Sequence, residues 1–496
     1  MKRKKSRFTF KMAKTVVLFA VFISTALLFS GCGNNNKEAN SNDKSVELTW
    51  YFMNNPQADQ DEVFEQANNI ISQKLPGVKV NFSPLDPGSY DQRMNVMIAS
   101  REVFDICFTS SWVNNYHNNV VKGAFLPLDD LLAQYAPKLK ESVPDKIWDG
   151  TRVGGKIYGV VNYQISSSAS AYWVKKDLVD KYHFDISSVK NWYDIEPFLQ
   201  TVKENEPGII PLVTTQMWVP AANNMGLYTL DVPYTVFREN DPTLTIENAL
   251  ETAEYKQYLK KVREWYQKGY VRSDVMNVTD NEADLRAGKF AVGTEGTIKP
   301  GMEMERKAKY GYDCVIIPLS QPMLTTGSIV ATLNAISSTS QNPEKAMQFL
   351  ELVNTDKELY NLLSFGIEGK HYEKVSDTHI KVMENTKYSA SNWMLGSPFN
   401  SYLLEGQADD TWEATKKMNE EAKPSPLLGF SFDMDPVKSK IAQIDSVVSE
   451  MAKALETGAV DPDQYLPQFI EKMKLAGADE VRAEIQKQIN EWKTTK

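Results

Sequence analysis

The spacing of apolar residues after residue 44 predicts strands and helices in turn. Residues 46–52 and 78–82 alternate between apolar and polar side chains, as half-buried strands do. Residues 59–75 carry apolar side chains at helical spacing, and residues 90–100 repeat that pattern. Residues 104–108 form a third short apolar strand. Strands that alternate with helices predict an α/β fold with a parallel sheet.

The rest of the chain continues this mixture. Predicted strands cover residues 156–161, 171–174, 290–292 and 314–317, and predicted helices cover residues 175–182, 249–268 and 342–353. From Pro436 onward the spacing is helical. Two apolar stripes recur there at steps of three and four: Ile441, Ile444, Val448, Met451 and Leu455, then Val481, Ile485, Ile489 and Trp492. We interpret both stripes as core packing.

The first 44 residues differ from the rest in composition. Seven Lys and Arg residues precede an uncharged apolar stretch over residues 15–29, and Ser30-Gly31-Cys32 follows. This order predicts a secretory signal over residues 1–31, because the apolar stretch is shorter than the ~20 residues that span a bilayer. A cysteine after Ser-Gly resembles a bacterial lipobox, although Phe29 stands where Leu is usual. That resemblance implies lipidation of Cys32, and the polar residues 32–44 predict a flexible tether. The alternative is an ordinary secreted protein with a chance cysteine.

Composition narrows the class of protein. The chain has 496 residues, of which 42% are hydrophobic and 24% charged, as in a folded soluble protein. Without the seven basic residues of the signal, 48 Lys and Arg stand against 64 Asp and Glu, a net charge of −16. Nucleic-acid binding needs clustered basic residues, so this balance argues against it. No segment after the signal reaches eighteen uncharged apolar residues, which places the body outside the cytoplasmic membrane on its tether.

Motifs of catalytic chemistry are missing from the sequence. The four histidines form no His-Glu-x-x-His arrangement, and the cysteines form no Cys-x-x-Cys pair, so we predict no metal site. There is no Gly-x-Ser-x-Gly elbow and no phosphate-binding glycine loop. We therefore predict no cofactor and no enzymatic activity, although a pair of carboxylates for glycoside hydrolysis stays open. Cys107 and Cys314 lie in apolar runs and are expected to be buried, with a disulfide between them left open.

Aromatic residues provide the positive signal. Several lie beside Asn, Ser or Gln at predicted loop edges, such as Trp112 in Thr-Ser-Ser-Trp-Val-Asn-Asn-Tyr and Trp393 in Ser-Asn-Trp-Met. An aromatic plane covers the flat C–H face of a sugar, while amides and carboxylates bond the surrounding hydroxyls. Any single aromatic residue is more often part of a core, so the interpretation depends on the combination.

Several segments together resemble the bacterial extracellular solute-binding proteins of ABC importers, a maltose-binding-like family, and within it the LipO/LplA-like lipoprotein branch. The resemblance covers residues 32–496. The matching segments are Pro76-Gly-Val-Lys-Val-Asn, Phe104-Asp-Ile, Gly123-Ala-Phe-Leu-Pro-Leu, Gly155-Lys-Ile-Tyr-Gly, Tyr172-Trp-Val-Lys-Lys-Asp-Leu, Asn342-Pro-Glu-Lys-Ala-Met, Phe365-Gly-Ile-Glu-Gly-Lys-His-Tyr and Ser425-Pro-Leu-Leu-Gly-Phe. The segment Ser100-Arg-Glu-Val-Phe-Asp departs from the family's usual Ser-Gly-x-x-Pro-Asp.

The resemblance implies a two-lobed, periplasmic-binding-protein-like (type II) α/β fold with a cleft between the lobes and a helical C-terminal extension. The chain would cross between the lobes three times. Lobe 1 is expected to comprise residues 45–161 plus 318–355. Lobe 2 is expected to comprise residues 166–316 plus 356–496.

Carried over by position, the family's ligand contacts fall on residues that follow strands or lie at crossings. Asn54 and Asn55 follow the first strand, and Ser110, Ser111 and Trp112 follow the third. Tyr163 and Gln164 lie at the first crossing, and Glu295 is expected in the turn after the strand that ends at Val292, with Trp393 facing it. Glu368 and Tyr402 are weaker candidates, since Glu368 could instead brace its loop through backbone hydrogen bonds.

The sequence thus predicts a lipid-anchored protein on the outer face of the cell membrane, a monomer that captures a carbohydrate and delivers it to an ABC transporter permease. The carbohydrate is expected to be an oligosaccharide. Three alternatives stay open: an exported carbohydrate-active enzyme, a binder of peptides or other small polar solutes, and a structural lipoprotein without a ligand.

Overall fold

The protein is described by a computed structural model that covers residues 45–213, 217–230, 232–278 and 281–494, without the side chains of residues 282 and 308. The predicted signal, Cys32 and the tether lie outside these residues. Within the described residues, no helix has the length and apolar character needed to cross a membrane. Two separate hydrophobic cores organise the described chain, and we call the parts built around them the first and second lobes.

The first lobe begins with a Rossmann-like alternation of strands and helices. Its elements up to the first crossing are β1 Val46–Met53, α1 Gln60–Lys74, β2 Val78–Leu85, α2 Pro87–Ser100, β3 Ile106–Thr109, α3 Tyr116–Val121, α4 Asp129–Tyr135, α5 Pro137–Ser142, α6 Asp145–Gly150, β4 Arg152–Val153, β5 Lys156–Ile157 and β6 Gly159–Val161. The apolar alternation of β1 buries Leu48 and Trp50 completely. Helix α2 begins where Asp86 accepts a hydrogen bond from the Gly88 amide, with Pro87 in the first turn.

The second lobe contains a four-stranded sheet and many helices. Its elements are β8 Ala171–Lys175, α7 Lys176–Tyr182, α8 Glu196–Asn205, β9 Ile210–Leu212, α9 Trp218–Asn224, β10 Leu227–Thr229, β11 Thr235–Arg238, β12 Glu247–Asn248, α10 Ala253–Gln267, α11 Glu282–Arg286, β13 Phe290–Glu295, α12 Met302–Tyr310 and β14 Cys314–Pro318, reached through the crossing strand β7 Ser167–Ser168. The strand order β14-β8-β13-β9 places β8 and β13 at the centre.

The chain then returns to the first lobe and finally to the second. After the crossing strand β15 Met323–Leu324 come α13 Thr326–Ile329, β16 Leu333–Ile336, α14 Pro343–Thr355, α15 Lys357–Phe365, β17 Tyr372–Lys374, β18 His379–Val382, β19 Leu403–Leu404 and α16 Thr411–Glu421. The last crossing strand, β20 Lys423–Pro424, precedes α17 Lys438–Glu456, α18 Pro462–Leu475 and α19 Ala478–Lys493. Short 3-10 turns lie at Ile186–Ser188, Ala249–Glu251, Val275–Asn277, Asn392–Met394, Pro398–Asn400 and Asp435–Val437.

The sheet of the first lobe has the strand order β2-β1-β3-β16-β6. Strand β1 pairs in parallel with β2 and β3, whereas β16 runs antiparallel to β3 and β6. The Trp50 indole donates a hydrogen bond of 2.9 Å to the Asn334 side chain, so the buried β1 and β16 are also joined through side chains. The carboxyl ends of β1 and β3 meet at one edge of this sheet, where ligands bind in many α/β proteins.

The three crossings lie side by side in a small sheet of their own. Strand β15 pairs antiparallel with β7 and in parallel with β20. The Met323 backbone is opposite Ser168 on one side and Lys423 on the other. This three-stranded sheet joins the lobes.

Packing of the segment between the second and third crossings corrects the predicted lobe boundaries. Residues 356–496 were expected in the second lobe, but Leu359, Leu363, Met394 and Leu395 pack in the first-lobe core. The reason is that α15 packs against α1 and α14 of the first lobe. Only the segment after β20 joins the second-lobe core, through residues such as Leu455 of α17.

Candidate functional site

A cavity of about 360 Å³ lies between the two lobes. Its first-lobe side includes Ser111, Tyr116, His117 and residues 150–153. Its second-lobe side includes residues 228–230 and Phe237, and the crossing residues Ser168 and Met323 form its base. A third part of the wall comes from residues 427–434, which follow the last crossing strand β20.

The lining combines hydroxyl groups with aromatic rings. Hydroxyl groups come from both lobes and from the crossings, and among them are Ser111, Thr151, Ser168, Thr297, Thr325 and Ser431. Aromatic rings come from Tyr116, Tyr228, Phe237, Phe430 and Phe432. This mixture suits a ligand that presents both hydroxyl groups and flat C–H faces.

Helix α3 brings Tyr116 and His117 to the cavity. The helix begins at Asn115, whose side-chain oxygen accepts a hydrogen bond of 3.0 Å from the Asn118 amide. His117 Nδ1 is shielded from solvent and has no hydrogen-bond partner in the described part of the chain. Burial lowers the pKa of His117, so the imidazole is neutral at neutral pH. Its ring nitrogens can therefore donate to or accept from a ligand hydroxyl.

Two tryptophans form an aromatic pair beside the cavity, which we call the Trp112–Trp393 pair. Their ring centroids lie 6.0 Å apart, and each ring also packs on Phe108. The Trp112 indole donates to the Ala331 carbonyl at 3.0 Å, and 56% of Trp112 remains exposed. Neither tryptophan lines the cavity, but Trp112 directly follows Ser111, which does.

Residues 110–112 follow β3 as expected, but they differ in what they do. Ser110 is fully buried, and its hydroxyl oxygen accepts hydrogen bonds from the Trp112 and Val113 amides, which closes the turn. Ser111 donates to the Gly327 carbonyl at 3.2 Å and faces the cavity. Ser110 therefore shapes the turn that presents Ser111 and Trp112.

The first-crossing residues Tyr163 and Gln164 are engaged with the protein. The Tyr163 ring is buried against Phe399 at 4.9 Å. The Gln164 side-chain amide donates to the Trp393 carbonyl at 2.9 Å and to the Thr332 hydroxyl at 3.0 Å. Gln164 thus fixes the loop that carries Trp393.

Of the eleven predicted ligand-binding residues, Ser111 alone lines the cavity, and Asn54, Asn55, Glu368 and Tyr402 lie elsewhere. Asn54 is buried directly after β1, where its backbone amide donates to the Leu85 carbonyl, and Asn55 is exposed. Glu368 pairs with Lys374 at 2.8 Å, and Lys374 also lies 5.7 Å from the centre of the Tyr402 ring. These contacts join Glu368 and Tyr402 through Lys374 of β17 in a separate cluster.

Glu295 differs from the prediction in both position and partner. It is the last residue of β13 rather than part of a turn after Val292, because the antiparallel pairing with β8 continues as far as Ala171. Its carboxylate forms an ion pair with Arg306, and burial raises its pKa. Trp393 does not face it, since Trp393 packs with Trp112 in the first lobe.

The sequence analysis missed His117 and the wall at residues 427–434. His117 was considered only as a metal ligand, and within the described residues no group of His, Cys, Asp and Glu is arranged to hold a metal ion. The two cysteines of the described chain, Cys107 and Cys314, are buried and free, so the disulfide between them is not formed. Other tryptophans, such as Trp50, Trp218 and Trp265, are core residues.

Comparison with known proteins identifies the family. A family model for bacterial extracellular solute-binding proteins matches residues 57–359, more than half of the chain. The chain belongs to the bacterial extracellular solute-binding protein family. A further model, for a domain of unknown function named DUF3502, matches residues 426–494 of this solute-binding protein. The predicted family and two-lobed α/β fold are confirmed.

Two relatives show how far the similarity extends. The chain is 32% identical over 500 residues to a carbohydrate ABC transporter substrate-binding protein of Streptococcus pneumoniae, covering 98% of each chain. It is 20% identical to the lipoprotein LipO of Bacillus subtilis, covering 84% of this chain and 87% of LipO.

Among solved structures, the chain is similar to the N-glycan transport solute-binding protein NgtS of Streptococcus pneumoniae. The identity is 30%, the coverage is 91% of this chain and 100% of NgtS, and the TM-score is 0.80. Structures of NgtS in complex with Man1GlcNAc and with Man5GlcNAc give TM-scores of 0.73 and 0.70 at similar coverage. This solute-binding protein therefore has a higher TM-score with the NgtS structure for which no ligand is named than with these two glycan complexes.

Proposed function

We propose that this protein captures an oligosaccharide in the cleft between its lobes and delivers it to the permease of an ABC transporter. The observation that carries the proposal is the interlobe cavity, with hydroxyl groups and aromatic rings on its walls and the Trp112–Trp393 pair beside it. Similarity to a carbohydrate substrate-binding protein along 98% of the chain supports the same ligand class.

Closure of the lobes is part of the proposal. The joining sheet of β7, β15 and β20 is small, so rotation about it costs few contacts. A ligand that contacts both walls shifts the equilibrium towards the closed form, because those contacts exist only when the lobes are together.

The test is titration calorimetry of the purified protein against a panel of oligosaccharides that includes mannose–GlcNAc glycans. We expect binding of at least one glycan, and Trp112→Ala is expected to weaken it about tenfold, ~1.4 kcal/mol. Because Trp112 is exposed, its loss leaves folding nearly unchanged. Tyr266→Ala is the matched control, an aromatic side chain of α10 that does not line the cavity.

The alternatives predict other outcomes in the same experiment. Release of shorter sugars from the panel would show an exported carbohydrate-active enzyme, and the proposal would then be rejected. Binding of peptides with no binding of glycans would show a peptide binder. A protein that binds neither would fit the structural lipoprotein.

We also propose that the protein acts as a monomer held by lipid on Cys32 at the outer face of the cell membrane. The basic, apolar and Ser-Gly-Cys order of residues 1–32 supports this anchor. In cells that express the full chain, Cys32→Ala is expected to move the protein from the membrane fraction to the medium. Equal membrane retention of the variant would argue against lipidation at this residue.

A further inference from the structure

The C-terminal domain (residues 426–494), which matches a domain family without a known function, is built into the second lobe. Its helices α17, α18 and α19 bury Leu455, Phe469 and Ile489 in the same core as the helices of the preceding chain. The domain is therefore part of the packed second lobe. The loop before α17, however, turns away from this core towards the first lobe.

That loop begins beside the crossing strands. The Ser425 amide donates to the Leu324 carbonyl at 2.8 Å, which extends the pairing of β20 with β15. The Gly429 amide donates to the Thr326 hydroxyl at 2.8 Å, and this hydroxyl donates in turn to the Leu427 carbonyl at 3.3 Å. The start of the C-terminal domain is thus hydrogen-bonded to the segment that joins the lobes.

The loop then forms a wall of the interlobe cavity. Leu427, Phe430, Ser431, Phe432 and Met434 line the cavity, and Ile485 of α19 reaches it from behind. Helix α19 also supports the loop. The Asp433 amide donates to the Gln488 side chain at 2.9 Å, and the Gln488 amide donates to the Asp433 carbonyl at 3.0 Å. The wall is therefore held in place by the rest of its own domain.

On the first-lobe side of the cavity, the lining residue His117 has a polar atom that lacks a partner. His117 Nδ1 is shielded from solvent and unpaired in the described part of the chain. An unpaired polar atom in such a place costs free energy unless a ligand satisfies it. Because His117 belongs to the first lobe and the loop belongs to the second, a ligand between them contacts both lobes.

We infer that the C-terminal domain is a ligand-binding wall: residues 427–434 contact the bound oligosaccharide from the second lobe, opposite His117 of the first. This inference depends on the proposed function and adds a role for the domain. The rings of Phe430 and Phe432 supply apolar contact, and the Ser431 hydroxyl and the His117 imidazole supply hydrogen bonds.

The test places a large side chain in the wall. Ser431→Trp fills part of the cavity, whereas the control Ser446→Trp adds the same side chain at an exposed position of α17. Each variant is titrated with the glycan that the unaltered protein binds most tightly. We expect Ser431→Trp to weaken binding at least tenfold and Ser446→Trp to change it less than twofold. Thermal unfolding confirms that each variant is folded.

Two further variants keep the test decisive if Ser431→Trp does not fold. Ser431→Val is a smaller change and is expected to weaken binding about threefold, while His117→Phe keeps a ring without nitrogen atoms and is expected to weaken it about fivefold. If the folded Ser431 variants bind the glycan as tightly as the unaltered protein does, residues 427–434 do not contact the ligand, although the proposed function still stands. If the unaltered protein binds no glycan, the proposed function fails and the wall fails with it. Equal weakening by Ser431→Trp and Ser446→Trp would also overturn the wall.

Discussion

Glu456, the last residue of α17, provides a sharp test of how the C-terminal domain is attached to the second lobe. Its carboxylate accepts a hydrogen bond of 2.7 Å from the Tyr234 hydroxyl and a longer one of 3.4 Å from Tyr255. Both tyrosines lie in the second-lobe core, where Tyr255 is fully buried. Burial raises the pKa of Glu456 from its ordinary 4.5 to about 7, and the two tyrosine hydrogen bonds only partly offset that rise.

The direction of the pH effect follows from this raised pKa. The folded protein holds the Glu456 proton more tightly than the unfolded chain does. The resulting stabilisation is fully present below pH 4.5 and is lost as the pH rises to about 7. This difference between the folded and unfolded pKa values of Glu456 contributes on the order of 3 kcal/mol to the free energy of unfolding at low pH.

Glu456→Gln removes the titrating proton and keeps the shape of the side chain. Between pH 5.5 and pH 8 the unaltered protein is expected to lose about 2 kcal/mol of this stabilisation, and the variant loses none of it. The free energy of unfolding of the variant minus that of the unaltered protein is therefore expected to rise by about 2 kcal/mol over this range. Urea unfolding followed by circular dichroism at several pH values measures this difference. The change with pH is the decisive quantity, because any fixed effect of the amide cancels.

Glu450→Gln on the same helix is the control, since Glu450 is exposed and pairs with Lys472 at the surface. It is expected to change the free energy of unfolding by less than about 1 kcal/mol. The reasoning would be refuted if the free energy of unfolding of Glu456→Gln minus that of the unaltered protein stayed constant or fell from pH 5.5 to pH 8.

Three further predictions concern other parts of the molecule. Gly458→Ala is expected to lower the free energy of unfolding in urea by roughly 3 kcal/mol, because φ is +74° and the added Cβ would collide with the Val262 carbonyl. Gly311→Ala is the control: φ is +83° there, but the added Cβ meets open space, so the expected loss is about 1 kcal/mol. Gln164→Ala is expected to weaken glycan binding about fivefold, ~1 kcal/mol, in calorimetry by freeing the Trp393 loop. Burial raises the pKa of Cys107 to about 12 and of Cys314 to about 11, so both thiols should resist a thiol reagent at pH 8 until the protein is unfolded.

The elements of the first lobe could be predicted from the sequence because burial follows the backbone period. The strand predicted over residues 46–52 is β1, Val46–Met53, and the helix predicted over residues 59–75 is α1, Gln60–Lys74. What the pattern could not show is which core a helix faces. Helix α15 carries the same kind of apolar stripe as the helices of the second lobe, and only its packing on α1 assigns it to the first.

The candidate site was predicted best where it depends on strand ends. Ser111 and Trp112 follow β3, and the topology alone places them at the edge of the sheet. Whether a polar residue there faces a ligand or closes a turn depends on side-chain hydrogen bonds and ion pairs that the apolar pattern does not specify. Ser110 turns inward to bond two neighbouring amides, and Glu295 meets Arg306, eleven residues further along the chain.

Residues at the first crossing hold the lobes and the Trp112–Trp393 pair in place. Their hydrogen-bonding groups are therefore poor candidates for selecting the ligand. The Asn419 side chain bonds the Gln164 carbonyl and accepts from the Ser166 and Ser167 amides, while the Gln164 side chain bonds the Trp393 carbonyl. These amide groups already have protein partners, so a ligand gains little from them. Selectivity must then depend on groups that can still form bonds on the two facing walls, with His117 on one lobe and residues 427–434 on the other.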